Sequence, residues 1–157
     1  MRILLVEDDP EKARRLEDFL FKERLAQEVI VAKSFDAALS QLMQISSKES
    51  SSFDVMLLDM TMPTFDAAED EPEGGAPEHF AGRDLLAQMK LRAITVPTIV
   101  ITMFDILGEG AGRMSVGDLA KQLQRDFSKT FVGLVQYSQA KEGWRSTLRS
   151  MIGKIKR

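Results

Sequence analysis

Three short apolar runs, each closed by an acid or a hydroxyl, constrain this chain more than any other feature in it. Arg2–Val6 runs into Glu7, Val55–Leu58 into Asp59, and residues 98–101 into Thr102. Runs that are apolar without alternation are strands covered on both faces, as in a parallel sheet packed between helices. Helical patterns separate them. Ala13, Leu16, Phe19 and Leu20 form a stripe in 10–25, with Pro10 suited to a first turn. A second strand is predicted at 28–33, and Ser34 then caps a helix carrying Ala38, Leu39, Leu42 and Met43. A short helix at about 82–91 precedes the strand at 97–102. Ser115 with Asp118 resembles a capping box and opens a helix with Val116, Leu119, Leu123 and Phe127 on one side. A strand at 131–137 and a helix at about 141–155 complete the pattern.

Five alternations of strand and helix in 157 residues imply one domain, α/β, with a doubly wound sheet. The ligand site of such a sheet lies outside the carboxyl ends of its strands. Glu7, Asp8, Asp59 and Thr102 therefore converge although they are far apart in sequence. The composition narrows the chemistry. With no cysteine there is no disulfide or thiolate site, and the single His79 excludes a multi-histidine metal centre. No apolar run is long enough to span a bilayer, and the acidic start is unlike a signal peptide, so a cytoplasmic location is expected with no membrane partner. The net charge of −3 points to no nucleic-acid partner. It is a cancellation, however. Segment 64–81 holds six acids and no base, and 141–157 holds six bases against Glu142. With Pro72, Pro77, Gly74 and Gly75, segment 64–81 reads as a flexible acidic insertion. Residues 103–115, with Gly108, Gly110 and Gly112, read as a Gly-rich extended connection.

Carboxylates at Glu7, Asp8 and Asp59 repel one another unless a cation joins them. A hard divalent ion such as Mg²⁺ takes oxygen ligands, commonly one or two carboxylates together with a phosphoryl oxygen. With no cysteine, and no base placed beside a serine or threonine, a carboxylate is the available nucleophile, and aspartyl phosphates are an established intermediate. Thr102 can hydrogen-bond a phosphoryl oxygen.

The opening RILLVEDDP, the segment FDVMLLDMTMP around Asp59 and PTIVIT ending at Thr102 occur in an order and at strand ends that resemble a two-component response regulator receiver domain. The resemblance covers about residues 1–102 well and 103–157 in outline. It implies a CheY-like, flavodoxin-like (βα)5 fold with a five-stranded parallel sheet and insertions after the third and fourth strands. It also implies that Asp59 accepts a phosphoryl group from a sensor histidine kinase or phosphotransfer protein. Asp8, Asp59 and the backbone carbonyl of Thr61 would hold Mg²⁺, Glu7 would act through a bound water, and Asp9 would stand outside the inner ligands. Thr102 matches the switch hydroxyl. Enzymatic activity beyond slow autodephosphorylation is not expected.

The departures lie in the last strand. The family normally ends its fifth strand with Lys-Pro, the Lys pairing with the phosphoryl group. Here Tyr137 stands in place of the Lys, Ser138 in place of the Pro, and Leu134 where an aromatic switch residue often sits. Tyr137 supplies no cation, and Lys141 is the candidate substitute. Tyr137 has a second reading as an ordinary strand aromatic, Asp54 as the start of its strand, His79 as an exposed loop residue, and Trp144 as core. The basic tail from Lys141 is a solvated helix face or a partner surface, with a homodimer through the last two helices as a candidate assembly. No DNA-binding output domain is expected after the last helix, unless the chain is a fragment of a longer protein. Two functional alternatives remain. One is a phosphorylation-independent pseudo-receiver acting as an interaction module. The other is a phosphohydrolase of the haloacid-dehalogenase type, which needs a second Asp where this chain has Thr61.

Overall fold

The computed structural model describes residues 1–46, 52–66, 80–103, 106–108 and 110–155. Five strands, β1 (Arg2–Val6), β2 (Glu28–Ala32), β3 (Val55–Leu58), β4 (Thr98–Thr102) and β7 (Phe131–Gln136), form one parallel sheet in the order β2-β1-β3-β4-β7. The order reverses between β1 and β3, and there the carboxyl ends open a crevice.

Alternate side chains of the central strands feed two separate cores, which is why their sequences are apolar throughout. Ile3, Leu5, Val55, Leu57, Ile99 and Ile101 face one way. They meet α1 (Pro10–Lys22) and α5 (Gly143–Ile155) through Leu16, Leu20, Trp144, Leu148 and Ile152. Leu4, Val6, Met56, Leu58 and Val100 face the other way. They meet α2 (Phe35–Ser46), α3 (Ala81–Leu91) and α4 (Val116–Asp126) through Leu42, Leu85, Met89, Leu119 and Leu123.

The helix starts follow the expected chemistry. Asp9 caps α1, accepting from the N–H groups of Glu11 and Lys12, with Pro10 in the first turn. Ser34 Oγ accepts from Ala37 N–H at 3.1 Å, and Ser115 Oγ from Asp118 N–H at 3.1 Å. Arg24 adopts φ 57° just beyond α1, turning the chain back so that Leu25 N–H reaches Leu20 O at 2.8 Å.

The connection after β4 is more ordered than its glycines suggest. It contains a small antiparallel ribbon, β5 (Ile106–Leu107) with β6 (Met114–Ser115), closed by a 3-10 turn at Gly110–Gly112. Two-residue strands are too short to leave a period in the sequence. Gly108 has φ +86° and a Cβ there would lie 3.0 Å from Gly112 O, so the turn needs glycine at this point. The last helix begins at Gly143, two residues later than expected. Most of the acidic insertion, His79 included, lies outside the described residues.

Candidate functional site

Hydrogen bonding beside β1 and β3 continues one residue past both strands. Glu7 N–H donates to Ala32 O at 2.9 Å and Asp59 N–H to Val6 O at 3.1 Å. Both acids therefore leave the sheet at the same end, on adjacent strands. With exposed Asp8 they place one carboxylate oxygen each within 4.8 Å of the others. The sequence placed these three residues together, and the structure does the same. Asp9 is spent on capping α1, outside this cluster.

The backbone after Asp59 is fixed from two sides. Phe35 N–H donates to Pro63 O at 3.0 Å and Asp36 N–H to Thr64 O at 2.9 Å, so the start of α2 holds the far end of the loop. Gly82 N–H donates to Met60 O at 3.0 Å and holds the near end. A Cβ on Gly82 would sit 2.7 Å from Asp59 O, so α3 can approach the Asp59 backbone this closely only with glycine there.

A residue absent from the sequence-based site stands at its centre. Lys12, from the first turn of α1, is 1% exposed. Its ammonium is 2.6 Å from Glu7 Oε2 and 3.6 Å from Asp59 Oδ2, and it donates to Ile101 O at 3.0 Å. One side chain thus reaches the ends of β1, β3 and β4. The second oxygen of Glu7, Oε1, accepts from Asp9 N–H at 3.1 Å, so Glu7 is held at both ends. A signal for Lys12 was present: it precedes Leu16 and Leu20 at four-residue spacing, on the apolar face of its own helix.

Burial sets the electrostatics. Removal from water is the main force pushing Glu7 up to about 8, with the Asp59 charge adding and Lys12 opposing. Asp59 is also raised, first by burial, against the pull of Lys12, with Asp8 adding a smaller push upward. Asp59 Oδ1 is buried and has no hydrogen-bond partner among the described residues. An unpartnered buried carboxylate oxygen is costly. A hard divalent cation fits this donor set of oxygens and would answer the deficit.

Among the described residues, the ends of β4 and β7 carry no charged side chain. Thr102 is fully buried, and its carbonyl accepts from Tyr137 N–H at 2.8 Å. The Tyr137 ring lies 5.1 Å from Trp144 and faces the Lys12 ammonium at 5.6 Å. Its hydroxyl is buried with no hydrogen-bond partner among the described residues. The candidate substitute Lys141 is exposed, its backbone N–H bonded to Ser138 Oγ at 3.1 Å. Leu134 is partly buried against the core under α4. Two cations of the basic tail are engaged within the molecule. Arg149 pairs with Glu23 at 3.0 Å, and Arg145 lies over the Trp144 ring at 5.0 Å.

No protein-family model matches the chain. It is 28% identical over 155 residues to the Detocs response regulatory protein DtcB of Enterobacter cloacae (strain JD6301), covering 99% of this chain and 100% of that one. A response regulator receiver domain protein from Clostridium thermocellum superposes with a TM-score of 0.62 at 19% identity, over 98% of this chain and 92% of that one. The Mn²⁺-bound form of response regulator Rcp1 superposes with a TM-score of 0.53 at 19% identity, over 98% and 88%. The chain has the CheY-like receiver fold, and over its whole length it resembles the response regulator receiver domains.

Proposed function

We propose that the chain is a phosphoacceptor that takes a phosphoryl group on Asp59. The observation that carries this reading is the buried Asp59 Oδ1, without a hydrogen-bond partner among the described residues, within a three-carboxylate cluster at the carboxyl end of the sheet. A carboxylate oxygen of Asp59 attacks the phosphorus of a phosphohistidine on a sensor kinase or phosphotransfer protein. The oxygen–phosphorus bond forms as the nitrogen–phosphorus bond breaks, and the imidazole keeps the electron pair and takes a proton from solvent.

Asp8, Asp59 and the Thr61 carbonyl are the groups that would hold Mg²⁺, and the Mn²⁺-bound relative supports a divalent ion here. Glu7 has both oxygens engaged by Asp9 N–H and Lys12, which suits a role through water rather than direct ligation. When bound, Mg²⁺ neutralises charge on the phosphoryl oxygens. Thr102 follows Ile101, the residue whose carbonyl anchors Lys12, and its position supports the switch hydroxyl role. The signal would leave through contacts with a second protein.

The second reading, a phosphorylation-independent interaction module, draws on Tyr137 and Ser138 in place of Lys-Pro. The two readings separate in one experiment. The protein is incubated with Mg²⁺ and acetyl phosphate, and its intact mass is measured beside an Asp59→Asn control. A gain of one phosphoryl group that is absent from the control is expected. No gain, from acetyl phosphate or from a cognate kinase, would leave the interaction module.

A further inference from the structure

We infer that Lys12 carries the cation that stabilises the phosphorylated state of this site, supplied from α1 instead of from the last strand. The inference rests on the phosphoacceptor reading of Asp59. Three observations point to it. An ammonium has three donors. Two are used at full hydrogen-bond distance, on Glu7 Oε2 at 2.6 Å and Ile101 O at 3.0 Å, while the approach to Asp59 Oδ2, at 3.6 Å, is longer than a hydrogen bond. That leaves one donor, 3.6 Å from the acceptor carboxylate, and a phosphoryl group joined to that carboxylate as an acyl phosphate would bring oxygens into the gap.

Lys12 is also held against two costs. It is among the largest fully buried side chains, and it sits in the first turn of α1, where a cation opposes the helix dipole. Neither cost is needed to build the α1 face, which an apolar residue would pack as well. The third observation is the wall behind it. The Tyr137 ring has two cations over it, the buried Lys12 ammonium at 5.6 Å and the more exposed Arg15 guanidinium at 5.7 Å, distances at which an aromatic face attracts a cation. A lysine at 137 would bring a second ammonium beside the first. The last strand thus carries an aromatic where the family carries its cation, and the aromatic supports a cation from elsewhere.

The test compares the unsubstituted protein with Lys12→Met and with the double variant Lys12→Met, Tyr137→Lys. Melting temperature is read alone, with Mg²⁺, and with Mg²⁺ plus fluoroberyllate, a phosphoryl mimic. Acetyl phosphate labelling is followed by intact mass. Lys12→Met should respond to Mg²⁺ but lose the further rise caused by fluoroberyllate, and its labelling rate should fall roughly 10- to 100-fold, the worth of a charge-assisted hydrogen bond. The double variant should recover part of both responses, which a merely structural role for Lys12 would not produce. In the unsubstituted protein the Lys12 ammonium nitrogen resonance should shift on adding fluoroberyllate, and this measurement stands even if Lys12→Met folds poorly. A Lys12→Met protein that responds to fluoroberyllate as the parent does, or an unshifted ammonium resonance while the parent binds the mimic, would overturn the assignment alone. A parent that takes neither the mimic nor the phosphoryl group would overturn the phosphoacceptor reading and this inference with it.

Discussion

Where β1 and β3 end, Glu7, Asp8 and Asp59 bring three carboxylates within 4.8 Å. Where β4 and β7 end, Thr102, Gln136, Tyr137 and Ser138 bring no charge at all. The first side matches the receiver pattern residue for residue, and the second departs from it. The structure joins them through Lys12, which starts on α1, pairs with Glu7 on one side and donates to Ile101 O on the other. The difference teaches that the buried cation at the carboxyl end of this sheet comes from α1 and not from the last strand.

The sharpest break of the comparison is on the acidic side. Asp59→Asn should abolish labelling by acetyl phosphate while raising thermal stability, because burial raises the Asp59 pKa and the substitution removes a charge that burial disfavours. Loss of labelling with an unchanged or lower melting temperature would contradict the electrostatic account. The next effect falls on the bridging residue. Lys12→Met removes the ammonium from Glu7 and should cost about 1.5–3 kcal/mol in urea unfolding near pH 7, the usual worth of a hydrogen bond to a charged group, since burial lets Glu7 hold a proton there. Adding Glu7→Gln should matter most above pH 8, where it removes a buried charge that the single variant would have to carry.

A third prediction concerns the loop that positions Asp59. Gly82→Ala would force a Cβ to within 2.7 Å of Asp59 O and should destabilise by about 1–3 kcal/mol, with slower labelling as the Asp59 backbone shifts. The fourth is a pH dependence confined to the acidic side. Glu7 is raised from 4.5 to about 8 in the folded protein, so between those values the folded state binds more protons than the unfolded one. The contribution of Glu7 to stability, measured in EDTA, should be full below about pH 4.5 and be lost as pH rises towards 8. Melting curves across that range check it, and Mg²⁺ should flatten the slope. The smallest effect is expected on the uncharged side. Tyr137→Phe removes a hydroxyl with no partner among the described residues and should stay within about 0.5 kcal/mol of the parent, with labelling unchanged. A large loss of labelling would return Tyr137 to the phosphoryl site.

The strands and the acidic cluster were legible because each rests on a local signal. An unbroken apolar run marks a strand covered on both faces, and its last residue marks a position at the carboxyl edge, so Glu7, Asp59 and Thr102 could be placed without any long-range information. Lys12 was not placed this way. Its role depends on α1 lying across the ends of β1, β3 and β4, and a cation at residue 12 pairs with residues 7, 59 and 101 only after the sheet is assembled. The spacing to Leu16 and Leu20 recorded that it faced inward, yet not what it faced. Gly82 was silent for the same reason, since a close approach to Asp59 O leaves no trace in composition. The ribbon after β4 leaves no signal in the sequence because two-residue strands carry no period. Lys141 lies four residues after Tyr137 in the chain, yet the turn bonded through Ser138 leaves it exposed.

The central claim is that one site spans both sides, with Asp59 as acceptor and Lys12 as the cation facing what it accepts. A crystal structure of the protein with Mg²⁺ and fluoroberyllate tests it most directly. The account predicts the mimic on an Asp59 carboxylate oxygen with the Lys12 ammonium within hydrogen-bond distance of a fluorine. A mimic bound to Asp59 with Lys12 still directed only at Glu7 and Ile101, and another residue facing the fluorines, would contradict it.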